Sequence, residues 1–187
     1  MTTTTRMQAG DALLIVDVQN DFCPGGALPI AEGDRVVPVL NDWIAAAKAA
    51  GVPVYASRDW HPEGHISFKE SGGPWPPHCV QDTEGARFRS DLELPPTTIK
   101  VTKGTRFDRD QNSAFDGTGL EHHLRKQGIR HLYVGGLAQD VCVLASVLDA
   151  RKAGFDVTVI SDATRGVTPE GCAAADKQMR EAGARFV

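Results

Sequence analysis

The chain has no excess of basic residues, no long hydrophobic run and few cysteines, and each shortage removes a class of protein. Lys and Arg total 20 against 24 Asp and Glu, a formal net charge of -4. That leaves no electrostatic footprint for a nucleic-acid partner. No apolar stretch approaches the ~20 residues of a membrane helix, so a membrane is not an expected partner either. The four cysteines, Cys23, Cys79, Cys142 and Cys172, are widely spaced with no CxxC pair. This favours free thiols over a disulfide frame and points to the cytoplasm. The Thr-rich head, Met1 to Gly10, lacks the apolar region of a secretory signal and reads as a flexible segment before one domain over residues 11–187. No internal repeat or low-complexity linker divides that domain, and its length suffices for a substantial core.

What is present alternates. Ala12-Leu13-Leu14-Ile15-Val16 is a short unbroken apolar run with β-branched residues, the pattern of a strand buried on both faces. Further strands are predicted at Val52–Ser57, Thr98–Thr102, Leu132–Val134 and Asp156–Ser161, with an edge strand at Ala184–Val187. Helices are predicted from about Asp34 to Ala50, closed by Gly51, from Leu120 to Gln127, from Cys142 to Ala153, and from Pro169, capped by Thr168, to near Gly183. His122 and His123 are expected on the exposed face of the second helix. Strand–helix alternation predicts an α/β fold of three layers, α/β/α, around a six-stranded parallel sheet. The segment from Ser67 to Pro96 shows no periodicity. A loop that long in a compact domain usually carries function.

In such a sheet all strand C-termini lie along one edge, where ligands bind. The residues delivered there carry chemistry. Cys142 is predicted at a strand-to-helix turn, where the partial positive charge of the helix start lowers a thiol pKa and free N–H groups can hold an oxyanion. Asp17 follows the first strand. Asp59 and His61 follow the second and are spaced to face one side, a carboxylate–imidazole pair suited to a metal. Lys103 follows the third, as a cation beside the thiol. His78, stiffened by the neighbouring Pro76 and Pro77, is a candidate third ligand. Each has a bland alternative: a small buried thiol, a turn aspartate, a chance DxH pair, a surface lysine, a solvated loop histidine. Chance explains their joint arrival at one edge poorly.

These residues sit in motifs that resemble those of the nicotinamidases, a branch of the isochorismatase-like hydrolases. The motifs are Asp17-Val18-Gln19-Asn20-Asp21-Phe22, Asp59-Trp60-His61-Pro62-Glu63-Gly64-His65, Trp75-Pro76-Pro77-His78-Cys79, Lys103-Gly104 and Gly136-Leu137-Ala138-Gln139-Asp140-Val141-Cys142-Val143. The resemblance runs from about Asp11 to the C-terminus and implies the isochorismatase-like hydrolase fold. It implies a catalytic triad of Asp17, Lys103 and Cys142, and a divalent metal on Asp59, His61 and His78, zinc first, with iron and manganese as alternatives. His65 matches a residue that is a fourth ligand in some members and outer shell in others. A cis peptide between Leu137 and Ala138 is implied, with the Ala138 and Cys142 N–H groups as oxyanion donors. Phe22, Trp75 and Val141 are the candidate substrate contacts. The implied reaction is hydrolysis of nicotinamide, and of pyrazinamide, in NAD salvage, and some members form homo-oligomers. Gln139 and Val141 depart from the family pattern, where Thr, and Tyr or His, are common. That leaves pocket shape open, not reaction type. The alternatives are a metal-free amidase acting on an N-carbamoyl or ureido compound, and a metal-binding or scaffold protein without catalysis.

Overall fold

The computed structural model describes residues 7–187. Six strands, β1 (Asp11–Val16), β2 (Val54–Asp59), β3 (Ile99–Lys103), β4 (His131–Leu137), β5 (Asp156–Arg165) and β6 (Arg185–Phe186), form one sheet in the order β3-β2-β1-β4-β5-β6. Every pairing is parallel. Four helices, α1 (Val36–Ala50), α2 (Leu120–Lys126), α3 (Leu144–Lys152) and α4 (Pro169–Glu181), cover its two faces.

Side-chain alternation along each strand divides the core in two. Leu13 and Ile15 of β1 point with Ala56 and Tyr133 into a cluster that buries Val36, Val37, Leu40, Ile44 and Ala47 of α1. Leu14 and Val16 point the other way, with Tyr55, Leu132 and Val134, against Leu124 of α2, Val147 of α3 and Met179 of α4. One face thus carries one helix and the other three. The long loop makes up the difference, since it sends Cys79, Ala86 and Leu92 into the α1 cluster.

Several boundaries differ from expectation. β2 begins at Val54, not Val52: Pro53 has no N–H for a ladder, and its carbonyl accepts from Leu13 N–H at 3.0 Å. β5 runs on to Arg165, through Asp162, by way of a register shift opposite Val134 and Gly136. His123 is half-buried, its ring 5.7 Å from that of Tyr55, so the exposed face expected of it is not observed. The expected N-cap is found: Thr168 Oγ1 accepts from Gly171 N–H at 3.0 Å. Of the segment read as flexible, residues 1–6 lie outside the described residues. Met7 is buried and Gln8 N–H donates to Asp11 Oδ2 at 2.8 Å, so the docked chain begins before Gly10.

The sheet order fixes where a ligand can enter. From β1 the chain steps outward to β2 and β3; β4, on the other side of β1, leads outward to β5 and β6. The crevice left at the C-terminal ends of β1 and β4 is the topological switch point of a doubly wound sheet.

Candidate active site

Four strand ends converge on that crevice. Asp17 follows β1 with φ of 49°, and this left-handed turn leaves its carboxylate beneath the end of β2, where Ser57 Oγ donates to Oδ1 at 2.7 Å. Asp59 and Lys103 are register partners at the ends of β2 and β3. Lys103 Nζ lies 2.7 Å from Asp17 Oδ2, 2.7 Å from Asp59 Oδ1 and 3.6 Å from Cys142 Sγ, and is fully buried. Acceptor atoms of Asp17, Asp59 and Cys142 all lie within 4.8 Å of one another. Cys142 sits in a turn of π-helix, Gln139–Val143, that leads into α3, and the Leu137–Ala138 peptide before it is cis.

Burial governs the protonation of this cluster. It pushes the Cys142 thiol well above its usual range, with Lys103 opposing and Asp17 and Asp59 adding to the rise. Thiolate stabilisation by Lys103 and the helix start, expected from the sequence, is therefore overruled. One ammonium already faces two carboxylates, and a third anion in a dry site is disfavoured. Burial also raises the Asp17 carboxyl, against the pull of Lys103. At Asp59 burial acts upward too, but Lys103 and His61 outweigh it and hold the carboxyl below the usual carboxylate range. Lys103 loses to burial but gains more from Asp17 and Asp59, so it stays charged.

The imidazoles lie on the far side of Asp59. Its Oδ1 faces Lys103, while Oδ2 is 3.4 Å from His61 Nε2 and 4.0 Å from His78 Nε2. One donor atom from each of Asp59, His61 and His78 falls within a common 4.8 Å. His61 Nδ1 donates to Gly104 O and His78 Nδ1 to Pro76 O, both at 2.8 Å. A carbonyl only accepts, so each Nδ1 carries a proton, and Nε2 is the atom that each neutral ring offers to a metal. That is the tautomer metal ligation requires, held by outer hydrogen bonds. The residues therefore fit a divalent ion. Gly104 must be glycine, because a Cβ at its φ of 69° would come 2.5 Å from His61 Cε1.

His65 Nδ1 lies 2.7 Å from Ser67 Oγ and accepts from Ser67 N–H at 3.3 Å, while its buried Nε2 has no hydrogen-bond partner. The ring stacks on His61 with centroids 4.2 Å apart. It supports the His61 ring. Its own donor atoms also approach His61 and Asp110 within 4.8 Å.

A cavity opens over Cys142 and Ala138. Phe22, Trp75 and Val141 line it, as expected, with His78 and Asp59 at one side. Leu28, Ile30, Asp110, Asn112 and Val167 line it too and were not foreseen. Two buried polar residues that support the site were also missed. The Gln19 amide brackets Asp59, accepting from its N–H at 2.9 Å and donating to its carbonyl at 2.7 Å. The Gln111 side chain accepts from Gly104 N–H at 3.1 Å, and its carbonyl lies 3.4 Å from Lys103 Nζ. The usable signal was a polar side chain in an otherwise buried stretch, as at Gln19 and Ser57, since such groups are kept only where they are paired.

Fold and rim together define a doubly wound α/β protein with a thiol, an ammonium and two carboxylates buried at its switch point. The chain belongs to the isochorismatase family, whose isochorismatase domain matches residues 11–187. It is 41% identical to the nicotinamidase of Escherichia coli (strain K12), over 92% of each chain. The pyrazinamidase of Pyrococcus horikoshii, solved in complex with zinc, superposes with a TM-score of 0.92 at 46% identity, covering 95% of this chain and 98% of that one. PnC1 from L. infantum, solved in complex with nicotinate, superposes with a TM-score of 0.92 at 35% identity, covering 98% of this chain and 95% of that one.

Proposed function

We propose that the protein hydrolyses nicotinamide to nicotinate and ammonia, as a step of NAD salvage, and accepts pyrazinamide. The observation that carries the reading is Lys103 Nζ, 2.7 Å from Asp17 and 3.6 Å from the Sγ of Cys142, which lines a cavity with Phe22, Trp75 and Val141. The nicotinamidase and pyrazinamidase relatives support the choice of substrate.

An amide resists water because its carbonyl is a poor electrophile and its amine a poor leaving group. A sulfur nucleophile splits the reaction into two easier steps. Cys142 rests as the thiol, and Asp17 takes its proton as sulfur adds to the carboxamide carbon. Lys103 favours the ionised form of Asp17 against the effect of burial and offsets the negative charge that builds up. Ala138 and Cys142 line the cavity, and their N–H groups are the donors for the tetrahedral oxygen, each worth about 3 kcal/mol. The carbon–nitrogen bond then breaks, and Asp17 returns the proton to the departing nitrogen, which leaves as ammonia. A thioester remains on Cys142. Asp17 next takes a proton from water, whose oxygen adds to the thioester carbon, and sulfur leaves with that proton. The Asp17 carboxylate and the Cys142 thiol are regenerated, the product leaves as the carboxylic acid, and atoms balance.

Asp59, His61 and His78 would hold a divalent ion, which when bound supplies a Lewis-acid anchor for a ring nitrogen. His65 buttresses His61. Phe22 and Trp75 clasp the ring faces, and Val141 sets the depth available to the ring. Metal analysis of the purified protein, paired with ammonia release from nicotinamide and from a ureido compound, tests the reading. Ammonia from nicotinamide with one divalent ion per chain is expected. Turnover of the ureido compound alone, with no bound metal, would transfer the chain to the metal-free amidases.

A further inference from the structure

Gln139 and Asp140 separate Ala138 from Val141 and Cys142, and neither lines the cavity. Gln139 is tied to the end of β5 and to α4, and Asp140 to the segment that joins them. Gln139 Nε2 donates to Asp176 Oδ1 at 2.7 Å, and its Oε1 accepts from Thr164 Oγ1 at 3.2 Å. The Asp140 carboxylate accepts two successive backbone N–H groups, Val167 at 2.9 Å on Oδ1 and Thr168 at 3.3 Å on Oδ2. The segment closes tightly round it. A Cβ on Gly166 would come 2.9 Å from Oδ1, and one on Gly171 would come 2.3 Å from Oδ2. Hydrogen bonds to a carboxylate are about twice as strong as neutral ones, so Asp140 is a firm anchor for this turn.

What the anchor holds is Val167. This residue lines the cavity with Val141 and Cys142, yet it is 49% exposed. Core packing therefore does not fix it. Its backbone is pinned by a carboxylate two residues ahead of the nucleophile, so the distance between the cavity roof and the sulfur is set through Asp140. We infer that Asp140 is a positioning residue that latches Val167 over the cavity, and that this latch sets the size of the ring accepted beside Cys142. The inference rests on the functional reading only for the ring being that of nicotinamide.

The test compares alkylation of Cys142 by iodoacetamide and by N-phenyl iodoacetamide, read on the Cys142 peptide by mass spectrometry. The two reagents carry the same reactive carbon and differ in bulk. Val167→Ala and Asp140→Ala should each lower the small-to-bulky rate ratio by about tenfold, the scale of one or two methyl groups in an apolar pocket. Asp140→Asn, which keeps one accepting oxygen, should lower it less. The double variant Asp140→Ala/Val167→Ala should go no further than either single change, because both act through one contact. The ratio is the decisive reading, since a general loosening of the fold speeds both reagents alike. A wild-type ratio in the Asp140 variants, or a double variant equal to the product of the singles, would overturn the inference. Should Asp140→Ala not fold, Asp140→Asn with and without Val167→Ala carries the same comparison. The assay reads the latch whether or not nicotinamide is turned over, so failure of ammonia release sinks only the functional reading.

Discussion

Lys103 and Asp17 reach the site from strand ends, whereas His78 arrives on a long loop, and the two routes place a side chain by different means. On the strand side, sheet register does the work: Asp59 and Lys103 are neighbours because β2 and β3 pair, and their charges meet at 2.7 Å. On the loop side pairing shrinks to one parallel bridge, His61 with Val80, and each imidazole is aimed by an Nδ1–H···O=C bond at 2.8 Å, to Gly104 or Pro76. The strand-built half is dry, charged and dependent on mutual pairing. The loop-built half gathers one donor atom each from Asp59, His61 and His78, the set a divalent ion would need. Asp59 belongs to both, one oxygen to each. The halves should therefore fail differently.

Loss of the nucleophile is the largest expected effect. Cys142→Ala should lower ammonia release by about four orders of magnitude or more, by analogy with other covalent hydrolases, while keeping metal content and thermal stability; loss of the metal along with activity would show that the two halves are not separable. Lys103→Met comes next, because it leaves the buried Asp17 and Asp59 carboxylates without the ammonium they share. Breaking such a group typically costs about 3–5 kcal/mol, so denaturant melts should show a large drop in midpoint. An unchanged midpoint would mean that Lys103 is not the keystone of the charged half. His61→Ala should spare the fold and instead reduce bound metal and raise the KM for nicotinamide, by about 10–100-fold in metal affinity at least. Metal titration and steady-state kinetics on one preparation check both effects.

The smallest effects concern protons. Asp17 must be ionised to accept the thiol proton, and its carboxyl lies above the usual aspartate range, from burial first and with Lys103 opposing. Activity is then lost as pH falls through that raised value, so the acid limb of kcat/KM should stand above the ordinary aspartate range. Ser57 donates to ionised Asp17. Ser57→Ala removes support for the charged form and should move the limb upward by about one pH unit, the worth of a hydrogen bond to a charged group. A limb that moves downward, or not at all, would mean that another group sets it.

How much of this was legible in the sequence follows the same division. Strands buried on both faces write themselves as unbroken apolar runs, so Ala12–Val16 and Leu132–Val134 were readable, and with them the convergence of Asp17, Lys103 and Cys142. Boundaries were less so. Pro53 looked like part of a strand because its neighbours are valines, and the extension of β5 past Asp162 depends on a register shift that only the partner strand reveals. The thiol's protonation was misread because it depends on burial and on how many anions surround one lysine, neither of which a spacing rule contains. Gln19 and Gln111 act through backbone groups of other segments, Ser57 acts through the Asp17 carboxylate, and Val167, which lines the cavity, is tied by its N–H to Asp140.

Everything above turns on sulfur forming a bond to the substrate's carbonyl carbon. Acid quench of the enzyme during turnover of nicotinamide, followed by mass spectrometry of its peptides, addresses that bond directly. The account predicts a nicotinoyl thioester on the peptide that carries Cys142 and on none that carries Cys23, Cys79 or Cys172. Steady ammonia release with Cys142 unmodified at every quench time, and undiminished in Cys142→Ala, would contradict it.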